Sequence, residues 1–414
     1  MTIRANAPAP QNPLARIREL DGWRAVSILL VLLHHLFFFQ HPQFAQRFPP
    51  LRHFFAYAGP QGVRTFFVIS GFVICRLLIS EQQRYGSVSL KGFYTRRVFR
   101  ILPPFYLYLT TIAILTLTGA LHESRHAIAA SAAFLYDLRS LQVNWLVGHT
   151  WSLAVEEQFY LIFPVLWIIT PQRRRGPLFT CVFLLCVAWT LSWALPRGDG
   201  VVTEQARAGF SCISCGILMA IYEQRARNLA ARVHPAVVTL VALILLDHPV
   251  PADTTFERLF DSLFVPLGLG LVILYSLERA SWLKAVLCSR PVQAVGLTSY
   301  GIYLWQQLFT MPAIDFPAQP TFTRFLLPLL AITVPISYFF VEKPAMRIGK
   351  ALSTKLRQKN PSTPDPSLTK AASRPRPTAG SSAVSDHPSV SQIFSPQPES
   401  FPPVPSAAPA DSPR

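Results

Sequence analysis

The sequence is short of charge, and shortest of negative charge. Of its 414 residues 14% are charged, and Lys plus Arg outnumber Asp plus Glu by 38 to 21. Soluble domains carry about 25% charge, so an ordinary water-soluble globular fold is excluded. Cysteine is also sparse. The six are Cys75, Cys181, Cys186, Cys212, Cys215 and Cys288, nearly all in or beside apolar runs. That placement excludes a secreted disulfide framework and suits helix packing. Cys212-x-x-Cys215 has metal-ligand spacing, but no second Cys/His pair lies nearby, so no metal site is expected. No secretory signal precedes the first apolar run, since the first 20 residues are polar, basic and proline-containing. No repeat of 20–50 residues is visible, and no soluble catalytic domain is expected from the residues at either end.

What is present is a series of apolar runs in a chain that is 51% hydrophobic. They fall at 25–39, 61–80, 101–119, 155–170, 177–195, 207–222, 235–250, 260–277, 296–314 and 324–341. The expectation is an all-α, polytopic transmembrane helical bundle of about ten spans. Segment 127–143 is a weaker helix, lying in the interface or re-entering. The net charge of +17 raises nucleic-acid binding, but Lys and Arg concentrate on the loops of the N-terminal side. The positive-inside rule accounts for that pattern, with both termini cytoplasmic and no nucleic-acid partner. The expected organisation is a cytoplasmic segment 1–20, a membrane domain 21–350 and a Pro/Ser/Ala-rich disordered cytoplasmic tail 351–414.

Five constellations carry chemistry. In the first, Asp21 stands three residues before Arg24, where the two can pair at a helix start. Arg24 and His35 are eleven residues apart, hence about 20° apart around a helix and about 16 Å along it. Histidine at bilayer depth is costly and marks function by default, and an imidazole suits proton abstraction. His34 points about 100° away and reads as structural. In the second, Ser70-Gly71 within an apolar run allows close helix approach, with Ser70 available as a hydrogen-bonder. Arg64, at the outer end of that run, needs an acidic partner or water.

Third is the basic run containing Arg96, Arg97 and Arg100. Arg97 and Arg100 share a helix face, and guanidinium forks bind phosphate bidentately; simple topogenesis by positive charge is the alternative. Fourth is His149-Thr-Trp151-Ser152-Leu-Ala-Val-Glu156-Glu157-Gln-Phe-Tyr160. Two carboxylates entering an apolar helix either cap its dipole or reach a polar cavity, to orient a histidine or bind an acceptor. Trp151 serves as a belt residue or stacks on a sugar. Fifth is Ser299-Tyr300-x-x-Tyr303-Leu-Trp305-Gln306, followed later by Glu342-Lys-Pro344. Each is weak alone.

Together these segments resemble the membrane-bound acyltransferase 3 family, whose members O-acylate sugars and other acceptors. The resemblance runs in unbroken order over about residues 18–345. The family's Leu-Asp-Gly-x-Arg, ten residues, then His matches Leu20 to His35. Its Phe-Phe-x-x-Ser-Gly-Phe matches Phe66 to Phe72, its Arg-x-x-Arg matches Arg97 and Arg100, and its Trp-Ser-Leu-x-Val-Glu block selects Glu156 over Glu157. Where the late block commonly ends in His, this chain has Gln306, which argues against proton transfer there.

The resemblance implies an O-acyltransferase of the bacterial inner membrane. Acyl-CoA, acetyl-CoA first, would be its co-substrate, and no bound cofactor or metal is expected. His35 would be general base, with Arg24 and Glu156 tuning the site. Arg97 and Arg100, with Arg96, would hold the donor's phosphates. Trp151, Ser152, Ser70 and Tyr303 would contact substrate. The partners implied are membrane lipid, acyl-CoA and a carbohydrate or lipid-linked glycan acceptor. Transport or flipping of a glycan precursor is the alternative, since intramembrane Arg, His and Glu also mark substrate pathways. A structural or sensory membrane protein is a third.

Overall fold

The computed structural model describes residues 16–40, 47–138, 144–192, 203–251, 254–279, 281–311 and 323–358. The chain divides into units 1–365 and 366–414, and every described residue belongs to the first. Among the described residues the secondary structure is helical, with no β-strand element. Seven helices are long and apolar enough to cross a membrane: Arg18–Phe39, Leu51–Tyr85, Leu90–Leu117, Trp145–Ile169, Gln172–Leu191, Thr255–Glu278 and Leu327–Gln358. The molecule is an all-α, multi-pass helical bundle.

All ten apolar runs coincide with helices, and the three outside the seven explain themselves. The helix over Gln205–Ile221 is apolar but short. Pro235–Asp247 spans 13 residues, about 20 Å, and meets Glu223–Arg232 at 106°. Arg290–Phe309 has 20 residues, but its buried face carries Gln293, Ser299, Gln306 and Gln307, which lowers its hydropathy.

In chain order the first helices are α1 (Arg18–His34), α2 (Pro49–Tyr85), α3 (Leu90–Leu117), α4 (Arg125–Ala132), α5 (Trp145–Gly148) and α6 (Thr150–Ile169). Then follow α7 (Gln172–Leu191), α8 (Glu204–Ile221), α9 (Glu223–Arg232), α10 (Pro235–Asp247), α11 (Thr255–Leu259), α12 (Val265–Glu278), α13 (Trp282–Leu287), α14 (Arg290–Phe309), α15 (Thr323–Ser337) and α16 (Lys343–Gln358). Three π-helical turns interrupt this series, at His35–Gln40, Phe260–Phe264 and Tyr338–Glu342.

Local chemistry sets the ends. Ser89 Oγ accepts from Gly92 N–H at 3.1 Å and caps α3. Gly86 closes α2 in the left-handed region at φ 73°. With 37 residues, α2 is about 55 Å long and outreaches a hydrocarbon core of about 30 Å. The apolar run at 61–80 marks only its central part, because residues 49–60 are helical but mixed in polarity.

Helix α2 is the hub and packs on α1 and α8. At its crossing with α8, a Cβ on Gly71 would clash with the Ile213 carbonyl, and one on Gly216 with the Val68 carbonyl. The backbones meet directly, as small residues permit in membranes. Phe67, Val68, Phe72, Ile213, Ile217 and Phe163 belong to the core on this side. A second core gathers Phe105, Tyr108, Leu109, Tyr303, Leu304 and Trp305.

Two boundaries differ from expectation. The weak helix at 127–143 is the short α4, non-helical from Ala133 to Leu138, and 139–143 lie outside the described residues. The predicted tail boundary at 351 falls inside α16, which runs to Gln358 because its buried Ala345, Gly349 and Ser353 lie against α3. The rest of the tail, 359–414, and residues 1–15 lie outside the described residues.

Candidate active site

A cavity opens between α1, α2, α3, α6 and α14. Of the residues singled out in the sequence, Arg24, Ser70, Arg97, Arg100, Ser152, Glu156 and Tyr303 all line it. Five helices from distant parts of the chain thus deliver polar side chains to one chamber in an otherwise apolar bundle.

Glu156 is the polar centre. Its Oε1 accepts hydrogen bonds from both Ser70 Oγ and the Tyr160 hydroxyl. Tyr160 lies one helical turn after Glu156, so α6 alone positions that donor, while Ser70 arrives from α2. The carboxylate is therefore oriented by two hydroxyls rather than by a histidine. Adjacent Glu157 also lines the chamber. Gln158 points elsewhere, donating to Asp137 Oδ1 at 3.0 Å and the Phe134 carbonyl at 3.1 Å. Asp137 lies outside the membrane helices, and burial raises its carboxyl above the usual range.

Arg97 lies 4.8 Å over the Tyr160 ring and 5.7 Å over that of Phe93. Neither Arg97 nor Arg100 forms an ion pair among the described residues, so both guanidiniums are open to an anion. Arg96 is committed elsewhere, bonding Glu81 at 2.9 Å and Ser353 Oγ at 2.6 Å. One residue is about 100° around a helix, and that rotation separates a chamber arginine from a structural one. Arg24 is 3.8 Å from Asp21, which Arg16 also holds at 2.6 Å.

At the far end the Tyr303 hydroxyl donates to the His149 carbonyl at 3.0 Å and lies 2.6 Å from Ser152 Oγ. Trp151 is outside the lining, with its ring 5.9 Å from Phe67.

His35 does not line the chamber. It begins the π-helical turn after α1, beyond the end of the chamber marked by Val63. Its Nδ1 is buried without a hydrogen-bond partner, and its ring meets Trp145 edge-on at 5.4 Å. His34 is used structurally: its Nδ1 lies 2.7 Å from the Phe55 carbonyl, which it reaches only as an N–H donor.

Sequence reasoning assigned no role to Tyr160 or Phe67, and left Ser299 and Tyr300 as a weak motif; all four line the chamber. Tyr300 donates to the Ile101 carbonyl at 3.0 Å, tying α14 to α3. The i, i+4 spacing of Glu156 and Tyr160 is a signal that could have found the first. Gln306 is fully buried, and its Nε2 donates to Gln307 Oε1 at 2.8 Å. Cys212 and Cys215 are buried free thiols, and Cys215 Sγ donates to the Pro266 carbonyl at 3.4 Å. Arg64 finds its acidic partner in Asp261.

The sequence is similar to those of known proteins over the same region. The chain is 26% identical over 370 residues to a peptidoglycan O-acetyltransferase, OatA, of Listeria monocytogenes, covering 80% of this chain and 56% of that protein. A putative O-acetyltransferase of Staphylococcus aureus is 27% identical, covering 81% and 58%. A putative peptidoglycan O-acetyltransferase, YrhL, of Bacillus subtilis is 26% identical, covering 80% and 55%. The chain thus spans a little over half the length of these relatives. No solved structure matches it. Residues 17–342, most of the chain and all of the helices that form the chamber, match the family model described as an acyltransferase domain, and the protein belongs to the acyltransferase 3 family.

Proposed function

We propose that the protein moves an acyl group, acetyl first, from acyl-CoA to a hydroxyl of a carbohydrate or lipid-linked glycan. The observation that carries this is the chamber itself, where two open guanidiniums, Arg97 and Arg100, face the hydrogen-bonded carboxylate of Glu156. Guanidinium forks suit phosphate oxygens. The names of two relatives make a peptidoglycan-type glycan the first acceptor to test.

The orientation follows from loop charge, with both termini in the cytoplasm and the bundle in the bacterial inner membrane. The donor enters from the end of the chamber nearest the start of α1. Its thioester reaches the Val63 and Phe66 end, and the acceptor hydroxyl approaches from the His35 side. The hydroxyl oxygen attacks the thioester carbonyl carbon while His35 takes the hydroxyl proton. The C–S bond then breaks, an ester forms and coenzyme A leaves as thiolate, which takes up a proton. General-base assistance of this kind contributes typically ~10²–10⁴-fold. Ser70 and Tyr160 hold Glu156, and Glu156 with Arg24 sets the charge around the reacting carbonyl.

The test is purified protein in lipid vesicles with radiolabelled acetyl-CoA and muramyl-glycan or other polyol acceptors. Label should appear in ester linkage, removable by mild alkali. Absence of label in every acceptor, with protein shown to be folded, sinks the proposal.

A further inference from the structure

Beside the chamber is a second cavity of about 330 Å³. It meets the chamber at Arg24, Arg100, Ser299 and Tyr300, which line both. Along α2 the chamber uses residues up to Ser70, and the vestibule those from Val73 to Ser80. Ser70 and Ser80 are about 15 Å apart along the helix. A molecule long enough to occupy both would keep one end at Glu156 and the other near the start of α1.

The vestibule's charge is one-sided. Arg16, Arg24, Arg76 and Arg100 line it against a single carboxylate, Asp21. Asp21 is already divided between Arg16 and Arg24. Arg76 holds Glu223, which lies outside the lining, through Nε alone at 2.9 Å, leaving its terminal nitrogens for another acceptor. Excess guanidinium in a concave site draws in multiply charged anions and meets phosphate oxygens as bidentate forks. Leu77, Leu297 and Tyr338 add apolar and aromatic wall suited to a flat base.

Resting on the acyl-CoA reading above, we infer that this vestibule is a subsite for the phosphorylated nucleotide end of the donor, with Arg16 and Arg76 as its phosphate ligands. Arg97 and Arg100 then remain for the phosphate nearest the pantetheine arm. Phosphate could come instead from a lipid headgroup, and the choice of donors separates the two sources.

The experiment compares acetyl-CoA, acetyl-dephospho-CoA (lacking the 3′-phosphate) and S-acetylpantetheine in reconstituted wild type, Arg16→Gln and Arg76→Gln. In wild type KM should rise stepwise as phosphates are removed. Each variant should raise KM for acetyl-CoA about tenfold, with kcat changing less than the KM. The preference for acetyl-CoA over S-acetylpantetheine should shrink by the same factor. Arg76 also braces Glu223, so Arg16, whose side chain is 55% exposed, carries the test if Arg76→Gln misfolds. Glu223→Gln, which leaves the Arg76 guanidinium in place, should keep the wild-type donor preference. A donor preference unchanged in Arg16→Gln and Arg76→Gln overturns the subsite, and so does a KM that follows vesicle anionic-lipid content equally for all three donors. Failure of wild type to use any of the three refutes the acyl-CoA reading itself.

Discussion

Ser70 Oγ donates a hydrogen bond to Oε1 of Glu156, joining α2 to α6 across 86 residues of chain. With Tyr160 donating to the same oxygen, the carboxylate is fixed in the chamber before any ligand arrives. Fixed charge at a reacting centre acts without reorganisation.

Glu156→Gln should therefore reduce acetyl transfer by about a hundredfold, in the range found for removal of one preorganised electrostatic group. Glu157 makes no hydrogen bond among the described residues, and Glu157→Gln should cost well under that. Ser70→Ala, which leaves Tyr160 in place, should lie between them. Initial rates with labelled acetyl-CoA rank the three; equal losses at 156 and 157 would contradict the assignment.

Neighbouring arginines should separate cleanly. Arg97→Lys keeps the charge but loses the fork, so KM for the donor should rise about tenfold. Arg96→Lys should leave KM nearly unchanged and instead lower thermal stability, because Arg96 ties α3 to Glu81 and Ser353. The readouts are donor KM and melting temperature. The opposite pattern would mean that α3 is rotated from the position described.

The two histidines of α1 and its π-helical turn divide in the same way. His34→Ala removes the side-chain bond to the Phe55 carbonyl and should destabilise the protein by about 0.5–1.5 kcal/mol. His35→Ala removes a ring whose Nδ1 bonds nothing. It should cut transfer by ~10²–10⁴-fold with a smaller change in melting temperature. Rescue of His35→Ala by added imidazole would support the proton-transfer role; retention of full activity would end it.

At the α2–α8 crossing, Gly71→Val and Gly216→Val each drive side-chain carbon into a carbonyl of the facing helix. Each should destabilise the bundle by about 1–3 kcal/mol or more, read as loss of folded protein on detergent titration. Gly119→Ala, where a Cβ meets nothing within 4 Å but φ is 76°, should cost only local strain.

The fold was largely legible because its solvent is lipid. Ten apolar runs became ten helices, since membrane burial forces backbone bonding within each segment. Extents were less legible: hydropathy shows what lies in lipid, and it missed the first turns of α2 and the last of α16. Within the chamber, i+3 spacing correctly paired Arg97 with Arg100. The diversion of Arg96 depended on Glu81 and Ser353, 15 and 257 residues away, which no local pattern encodes. The helical offset of Arg24 and His35 predicted a shared direction. It gave no sign that the chamber would stop short of His35, because its far end is set by Phe66, Ser152 and Tyr303 from three other helices.

The most direct test of the central claim, that the arginine-lined chamber binds the donor, needs no acceptor. Thermal unfolding of the purified protein is followed with and without coenzyme A. Ligand at 100 times Kd should stabilise wild type by about 2.7 kcal/mol. The same ligand should shift the Arg97→Gln/Arg100→Gln double variant little or not at all. An equal shift in both proteins, or none in wild type at millimolar ligand, would contradict the account.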